Sequence, residues 1–154
     1  MGQLPLFYNR KPTAMRGYLF ASTLPLFPFG HGLSYTTFSY SAPTVSPARI
    51  PPDGRATASV EVTNTGARAG DEVVQLYIRA EVSRVTRPVM ELKGFRRITL
   101  APGERRAVAF ELGPEQLSYH GPDLKRIVEP GRFQLMIGGS SAEVKVVGLD
   151  VVGP

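Results

Sequence analysis

The sequence predicts an all-β fold, an antiparallel β-sandwich of seven to eight short strands with an irregular N-terminal extension. Three observations support this prediction. From Tyr35 onward, short runs alternate polar with apolar residues, as in strands that bury one face. Turn-forming residues separate these runs at intervals typical of sandwiches. No segment shows the apolar period of a strong amphipathic helix.

The first half of the sandwich contains three predicted strands, at 35–40, 56–63 and 72–79. Strict alternation identifies their faces. The residues predicted to face the core are Ala58, Val60 and Val62 in the second strand and Val74, Leu76 and Ile78 in the third. Tyr77 is predicted on the outer face of the third strand. The Asn64-Thr65-Gly66 triplet predicts a turn after the second.

The second half contains five further predicted strands, at 92–100, 106–112, 124–128, 133–138 and 142–151. A single helical turn is predicted at 114–119, and Phe110 and Phe133 are predicted in the core. Pro-Gly pairs predict tight turns, with Pro102 and Gly103 at the centre of a type II turn. The segment 80–91 is longer than a hairpin needs and contains Pro88, so we expect it to cross between the two sheets.

Composition excludes several classes of protein. The 154 residues are 42% hydrophobic and 20% charged, which is ordinary for one globular domain. No apolar run approaches the length of a membrane span. The net charge is +5, but the basic residues are scattered and form no stripe. We therefore expect neither nucleic acid nor membrane among the partners.

Catalytic and metal-binding motifs are missing from the sequence. It has no cysteine, and its two histidines, His31 and His120, lie far apart. Asp71 and Glu72 form the only adjacent acidic pair, and in a strand their side chains should point to opposite faces. The prediction is no catalytic residue, no metal site and no cofactor.

The most distinctive segment is Pro25-Leu-Phe-Pro-Phe-Gly-His-Gly-Leu-Ser-Tyr35. Its two prolines and two glycines predict a rigid, irregular path, and its apolar side chains predict contact with another surface. The residues predicted to dock on a neighbouring domain are Leu26, Phe27, Phe29, His31, Leu33 and Tyr35. A second interpretation stays open, in which exposed aromatics, including Tyr77, stack on sugar rings or a polymer surface.

Several motifs in this order carry a resemblance to a known family. They are Gly2-Gln-Leu-Pro5, Pro25 to Thr36, Val62-Thr-Asn-Thr-Gly66, Glu72-Val-Val-Gln-Leu-Tyr77, Leu92-Lys-Gly-Phe95 and Leu100-Ala-Pro-Gly-Glu104. The chain resembles the C-terminal part of family 3 glycoside hydrolases, the β-glucosidases and β-xylosidases. The resemblance implies a fibronectin type III-like (immunoglobulin-like) sandwich over 35–154, with 1–34 as the end of an α/β domain and a linker.

The resemblance also implies a function. The family's catalytic aspartate and glutamate belong to other domains, and neither motif is found in this chain. The chain is then a non-catalytic accessory domain that packs on the catalytic domains of its parent enzyme. The alternative is a module that binds carbohydrate or plant polymer. A secreted or periplasmic location is favoured for the parent, and residues 1–34 are expected to be either loosely held or folded back on the sandwich.

Overall fold

The structure, a computed structural model, describes residues 7–12 and 24–153. These residues form eleven strands and one short helix. The strands are β1 (Phe38–Tyr40), β2 (Thr44–Ser46), β3 (Arg49–Ile50), β4 (Ala56–Asn64), β5 (Gly70–Ala80), β6 (Glu91–Leu100), β7 (Arg105–Leu112), β8 (Tyr119–His120), β9 (Arg126–Ile127), β10 (Gly131–Gly138) and β11 (Val144–Val151). The helix, α1, is Pro114–Leu117.

Two sheets make up the sandwich. In the first, β4 pairs with β7 along one edge and with β1 and β2 along the other, all antiparallel. The second has the order β3-β11-β10-β5-β6 and is antiparallel except between β3 and β11. A separate two-stranded ribbon joins β8 and β9. The predicted all-β sandwich is confirmed.

The core lies between the inner faces of the two sheets, where the predicted strand faces are found. The predicted core residues Ala58, Val60, Val62, Val74, Leu76, Ile78, Phe110 and Phe133 are all buried. Gly94 on β6 also contributes, because a Cβ atom there would lie only 3.2 Å from the Phe110 ring. The missing side chain thus makes room for an aromatic ring from the opposite sheet.

The turns after β4 and β6 confirm two further predictions. Gly103 has a φ of +73°, and the Glu104 amide donates to the Ala101 carbonyl at 3.0 Å. At the end of β4, the side chain of Asn64 is fully buried. Its Nδ2 donates to the backbone carbonyls of Arg68 and Leu100, at 2.7 and 3.0 Å. The Asn64 side chain therefore replaces the backbone hydrogen bonds that the turn interrupts.

The predicted crossover at 80–91 is wrong. β5 and β6 are adjacent antiparallel strands of the same sheet, so this segment is a long hairpin loop. Its length is used to cover one end of the core. Arg87 is 9% exposed, and its guanidinium carbon lies 5.1 Å from the centre of the Tyr119 ring.

Three of the strands, β2, β3 and β8, were not predicted from the sequence. Each has two or three residues, too few to show a period. They form because neighbouring strands offer open hydrogen-bonding edges.

Candidate docking surface

Tyr77 lies on the outer face of β5, as the alternation predicted, but its ring is not exposed to solvent. It is 0% exposed, because two rings of the N-terminal extension cover it. Tyr8 and Phe29 stack with ring centres 3.9 Å apart, and both meet Tyr77 edge-on, at 5.9 and 6.5 Å. This burial, with the nearby Tyr8 hydroxyl as a smaller cause, raises the pKa of Tyr77 to about 12. The middle of the outer face of β5, at Gln75 and Tyr77, is therefore covered by the extension.

Gln75, the outward neighbour of Tyr77, ties the extension to the sheet through backbone carbonyls. Its Nε2 donates to the Gly30 carbonyl at 3.0 Å and to the Gly139 carbonyl at 2.6 Å. Its Oε1 accepts a hydrogen bond from the Tyr77 hydroxyl. Since Gln75 is only 4% exposed, these bonds are shielded from water and hold the extension in one position.

Gly30 fits this arrangement for two reasons. Its φ is +79°, which disfavours any residue with a Cβ atom. A Cβ atom at this position would lie 2.0 Å from the Gln75 Oε1. The next residue back, Phe29, accepts a hydrogen bond from the Ser141 amide at 2.9 Å. The Phe29-Gly30 pair is thus fixed between β5 and the loop that follows β10.

The described residues 7–12 are attached as well. The Val89 amide donates to the Arg10 carbonyl at 2.8 Å, and the Leu92 amide donates to the Tyr8 hydroxyl at 3.4 Å. Of the two predicted states of the extension, these residues and 29–30 show the folded-back one. Positions 1–6 and 13–23 lie outside the described residues.

The residues predicted to dock remain uncovered, although the backbone between them is anchored. The exposed fractions are 88% for Leu26, 63% for Phe27, 44% for Phe29, 93% for Leu33 and 92% for Tyr35. His31 is also exposed, with its ring centre 5.1 Å from that of Phe27. We call these six residues the apolar strip. Such a group of exposed apolar side chains is typical of an interaction surface.

A cleft of about 620 Å³ lies beside the strip, at the end of the sandwich where β5 begins. Apolar side chains on one wall include Phe95, which is 67% exposed, and Val73, which is 40% exposed. Three carboxylates also line it, those of Asp71, Glu72 and Glu143. No sequence signal connected Phe95 and Glu143 with the Asp71-Glu72-Val73 run of β5, because they lie on β6 and in the loop before β11.

The adjacent acids Asp71 and Glu72 point to opposite faces, as predicted. Asp71 accepts hydrogen bonds from Thr99 and Arg97 on the neighbouring strand, which hold its pKa below the usual range. Glu72 accepts a 2.6 Å hydrogen bond from Tyr40, on the opposite sheet. Burial, together with the nearby Glu143 charge, raises the pKa of Glu72 although that hydrogen bond opposes the shift. Both carboxylates therefore have structural partners.

The described residues contain neither a metal-ligand cluster nor a membrane-spanning helix. Within 7–12 and 24–153, no three His, Asp or Glu side chains come together as metal ligands. No helix in these ranges has the length and apolarity to cross a membrane. The described residues instead form two contact surfaces, the apolar strip and the cleft, which is lined by apolar side chains and by carboxylates.

Comparison with known proteins decides the family of the sandwich. Residues 72–141 match the family model of the fibronectin type III-like domain. This chain contains a fibronectin type III-like domain. It is 47% identical to a β-xylosidase of Formosa agariphila and 44% identical to a periplasmic β-glucosidase of Salmonella typhimurium. These alignments cover 98% and 94% of this chain but 22% and 20% of the two enzymes.

Solved structures agree. A β-glucosidase of Erythrobacter marinus superposes with a TM-score of 0.93 at 47% identity, over 97% of this chain and 20% of that one. A β-glucosidase of Listeria innocua gives 0.89 at 31% identity, over 98% and 22%. The chain thus spans about one fifth of the length of these relatives. The resemblance to the fibronectin type III-like segment of family 3 glycoside hydrolases is confirmed.

Sequence reasoning missed the cover over β5, although a signal was present. From Val73 to Ile78 the strand contains no charged residue. Uninterrupted runs of this kind are typical of strands buried on both faces. The fibronectin type III-like domain therefore presents its apolar strip from an extension that is itself packed on the sheet.

Proposed function

We propose that this fibronectin type III-like domain is a non-catalytic accessory domain that braces the catalytic domains of a β-glucosidase or β-xylosidase. One observation carries the proposal. Six predicted docking residues stay exposed on a backbone that the sandwich holds in place. The relatives support it, because the matching segment is about one fifth of enzymes named for glycoside hydrolysis.

The anchored backbone favours docking energetically. Covering apolar surface contributes about 25 cal/mol for each Å² removed from water. A mobile segment would lose conformational entropy on docking and offset part of that gain. Here the bonds of Gln75 and Ser141 already fix the middle of the strip. Docking of the strip therefore costs little conformational entropy, and the free energy of burying its apolar surface stabilises the assembled enzyme.

A chimera tests the proposal. The segment of the Formosa agariphila β-xylosidase that matches this chain is replaced by the whole chain, and the chimera is compared with an enzyme truncated at the same point. We expect a higher Tm and a longer half-life of activity for the chimera. Leu33→Ser should remove part of the gain, whereas Val82→Ser, also an exposed apolar residue but in the β5–β6 loop, should not. Equal stability of chimera and truncated enzyme would refute the brace.

The absence of catalysis by this chain is part of the proposal. We expect the purified chain to hydrolyse nitrophenyl glucoside and nitrophenyl xyloside no faster than buffer does. Activity that copurifies with the chain and is lost in Glu143→Gln or Glu72→Gln would contradict it.

The alternative, a module that binds polymer, requires exposed aromatic and arginine side chains, and Tyr77 was one of the aromatic candidates. That ring is buried, so it offers no stacking surface. Titration of the chain against xylan and cellulose remains the direct test, and salt-insensitive binding would support the alternative.

A further inference from the structure

The cleft beside the apolar strip has two chemically different parts. Phe95 and Val73 form an apolar wall on the outer face of β5 and β6. Phe29, His31 and Leu33, three members of the strip, line the same cleft. The apolar surface is therefore continuous from the strip into the cleft, so a body that docks on the strip would also cover the cleft.

The cleft also has an anionic part, although the chain has a net charge of +5. Glu72 and Glu143 line it. Among the described residues, no Lys, Arg or His side chain lies within 4.0 Å of either carboxylate. The nearest lysine along β11, Lys145, instead donates to the Tyr40 carbonyl. Glu72 thus has a hydrogen bond from Tyr40, and neither carboxylate has a cation among residues 7–12 and 24–153.

Covering these carboxylates has a consequence for the partner. Removing a carboxylate from water without pairing it with a cation is strongly unfavourable. The partner surface must then supply a positive group there, or the cleft must stay wet. Arginine combines a cation with a planar apolar face, which suits a cleft with an aromatic part and an anionic part.

We propose that this cleft receives a segment of the catalytic body of the same enzyme, which presents an aliphatic or aromatic side chain next to an arginine or lysine. The apolar side chain packs on Phe95 and Val73, and the cation lies between Glu72 and Glu143. This inference rests on the proposed bracing function and names the chemistry of the partner surface. A sugar would satisfy the carboxylates with hydroxyl groups, but it would not account for the continuity of the cleft with the strip.

The chimera described above provides the test. Phe95→Ser and Glu143→Gln are introduced singly into the chimera and into the isolated chain. Their matched controls are Val146→Ser, another exposed apolar residue of the same sheet, and Glu111→Gln, an exposed glutamate on the other sheet. Phe95→Ser should lower the Tm of the chimera by about 2 °C or more and leave that of the isolated chain unchanged. Glu143→Gln should lower the Tm of the chimera at low salt and lose its effect in 1 M NaCl.

The outcomes separate this inference from the function on which it rests. If the chimera is more stable than the truncated enzyme but both cleft variants behave like their controls, the partner chemistry is wrong and the brace stands. If the chimera gains nothing over the truncated enzyme, both fail. A third measurement follows the amide spectrum of the isolated chain with cellobiose or xylobiose. Saturable shifts around Phe95 would assign the cleft to a glycan and overturn the docking proposal.

Discussion

Replacement of Gly30 by alanine should release the N-terminal extension from the sheet. An alanine at φ +79° costs about 1 to 2 kcal/mol in backbone energy. Its Cβ atom would also lie 2.0 Å from the Gln75 Oε1, so the Gln75 side chain must move. That movement breaks its bonds to the Gly30 and Gly139 carbonyls and leaves buried polar groups without partners, at about 1 to 3 kcal/mol.

The two costs together are about 2 to 5 kcal/mol. The extension can detach without unfolding the sandwich, so the cost appears as local opening and not as a full loss of stability. This opening can be measured as hydrogen exchange of the Ser141 amide, which donates to the Phe29 carbonyl. A loss of 2 kcal/mol should accelerate exchange of that amide by roughly 30-fold. Amides inside β4 should keep their wild-type rates.

Gly32→Ala is the matched control. A Cβ atom at Gly32 would meet nothing within 4 Å, and that residue is two positions along the same strip. If both alanine variants change the exchange rate of the Ser141 amide by the same factor, the hydrogen bond between Gln75 and Gly30 does not hold the extension, and the reasoning is refuted.

Three further predictions follow from burial and charge. Gln75→Leu should also speed exchange at Ser141, since it leaves two carbonyls without a donor, whereas Gln134→Leu, which loses one exposed bond, should not. Phe110→Ala should lower the free energy of unfolding by about 3 to 5 kcal/mol, measured by urea denaturation, and Phe95→Ala, at an exposed site, by far less. Burial raises the pKa of Glu72 above its ordinary value of 4.5, so the folded state binds the proton more tightly than the unfolded state does. The contribution of Glu72 to the free energy of unfolding therefore falls as the pH rises past 4.5. Relative to wild type, Glu72→Gln should therefore gain stability between pH 4 and pH 7, and an unchanged difference across that range would contradict the assignment.

The residues that face the core of the sandwich could be predicted because the alternation of a strand is a local property of its sequence. Val60 and Val74 stand among polar or outward neighbours with a period of two, and both are buried where predicted. The turn at Gly103 was readable for a similar reason, since a positive φ selects glycine. The apolar composition of 25–35 predicts that Leu26 and Leu33 dock on another surface, and the structure leaves both exposed. Their role as contacts stays a prediction.

The burial of residues on the outer face of β5 could not be predicted in this way. Whether Tyr77 is buried depends on Tyr8 and Phe29, which are 69 and 48 positions away in the chain. Likewise, the length of 80–91 and its Pro88 predict a crossover, but length alone does not determine the connection, and strand pairing shows that the segment joins neighbouring strands.

The sequence by itself thus determined the β-sandwich, its core residues and the family resemblance, since each of these is written in short-range patterns and motifs. Only the tertiary structure decided that the extension packs on β5 and that Glu72 and Glu143 share a cleft with Phe95. The physical reason is that these contacts join segments far apart in the chain. Their formation depends on how the sheets twist and where loops close, and no local spacing records that.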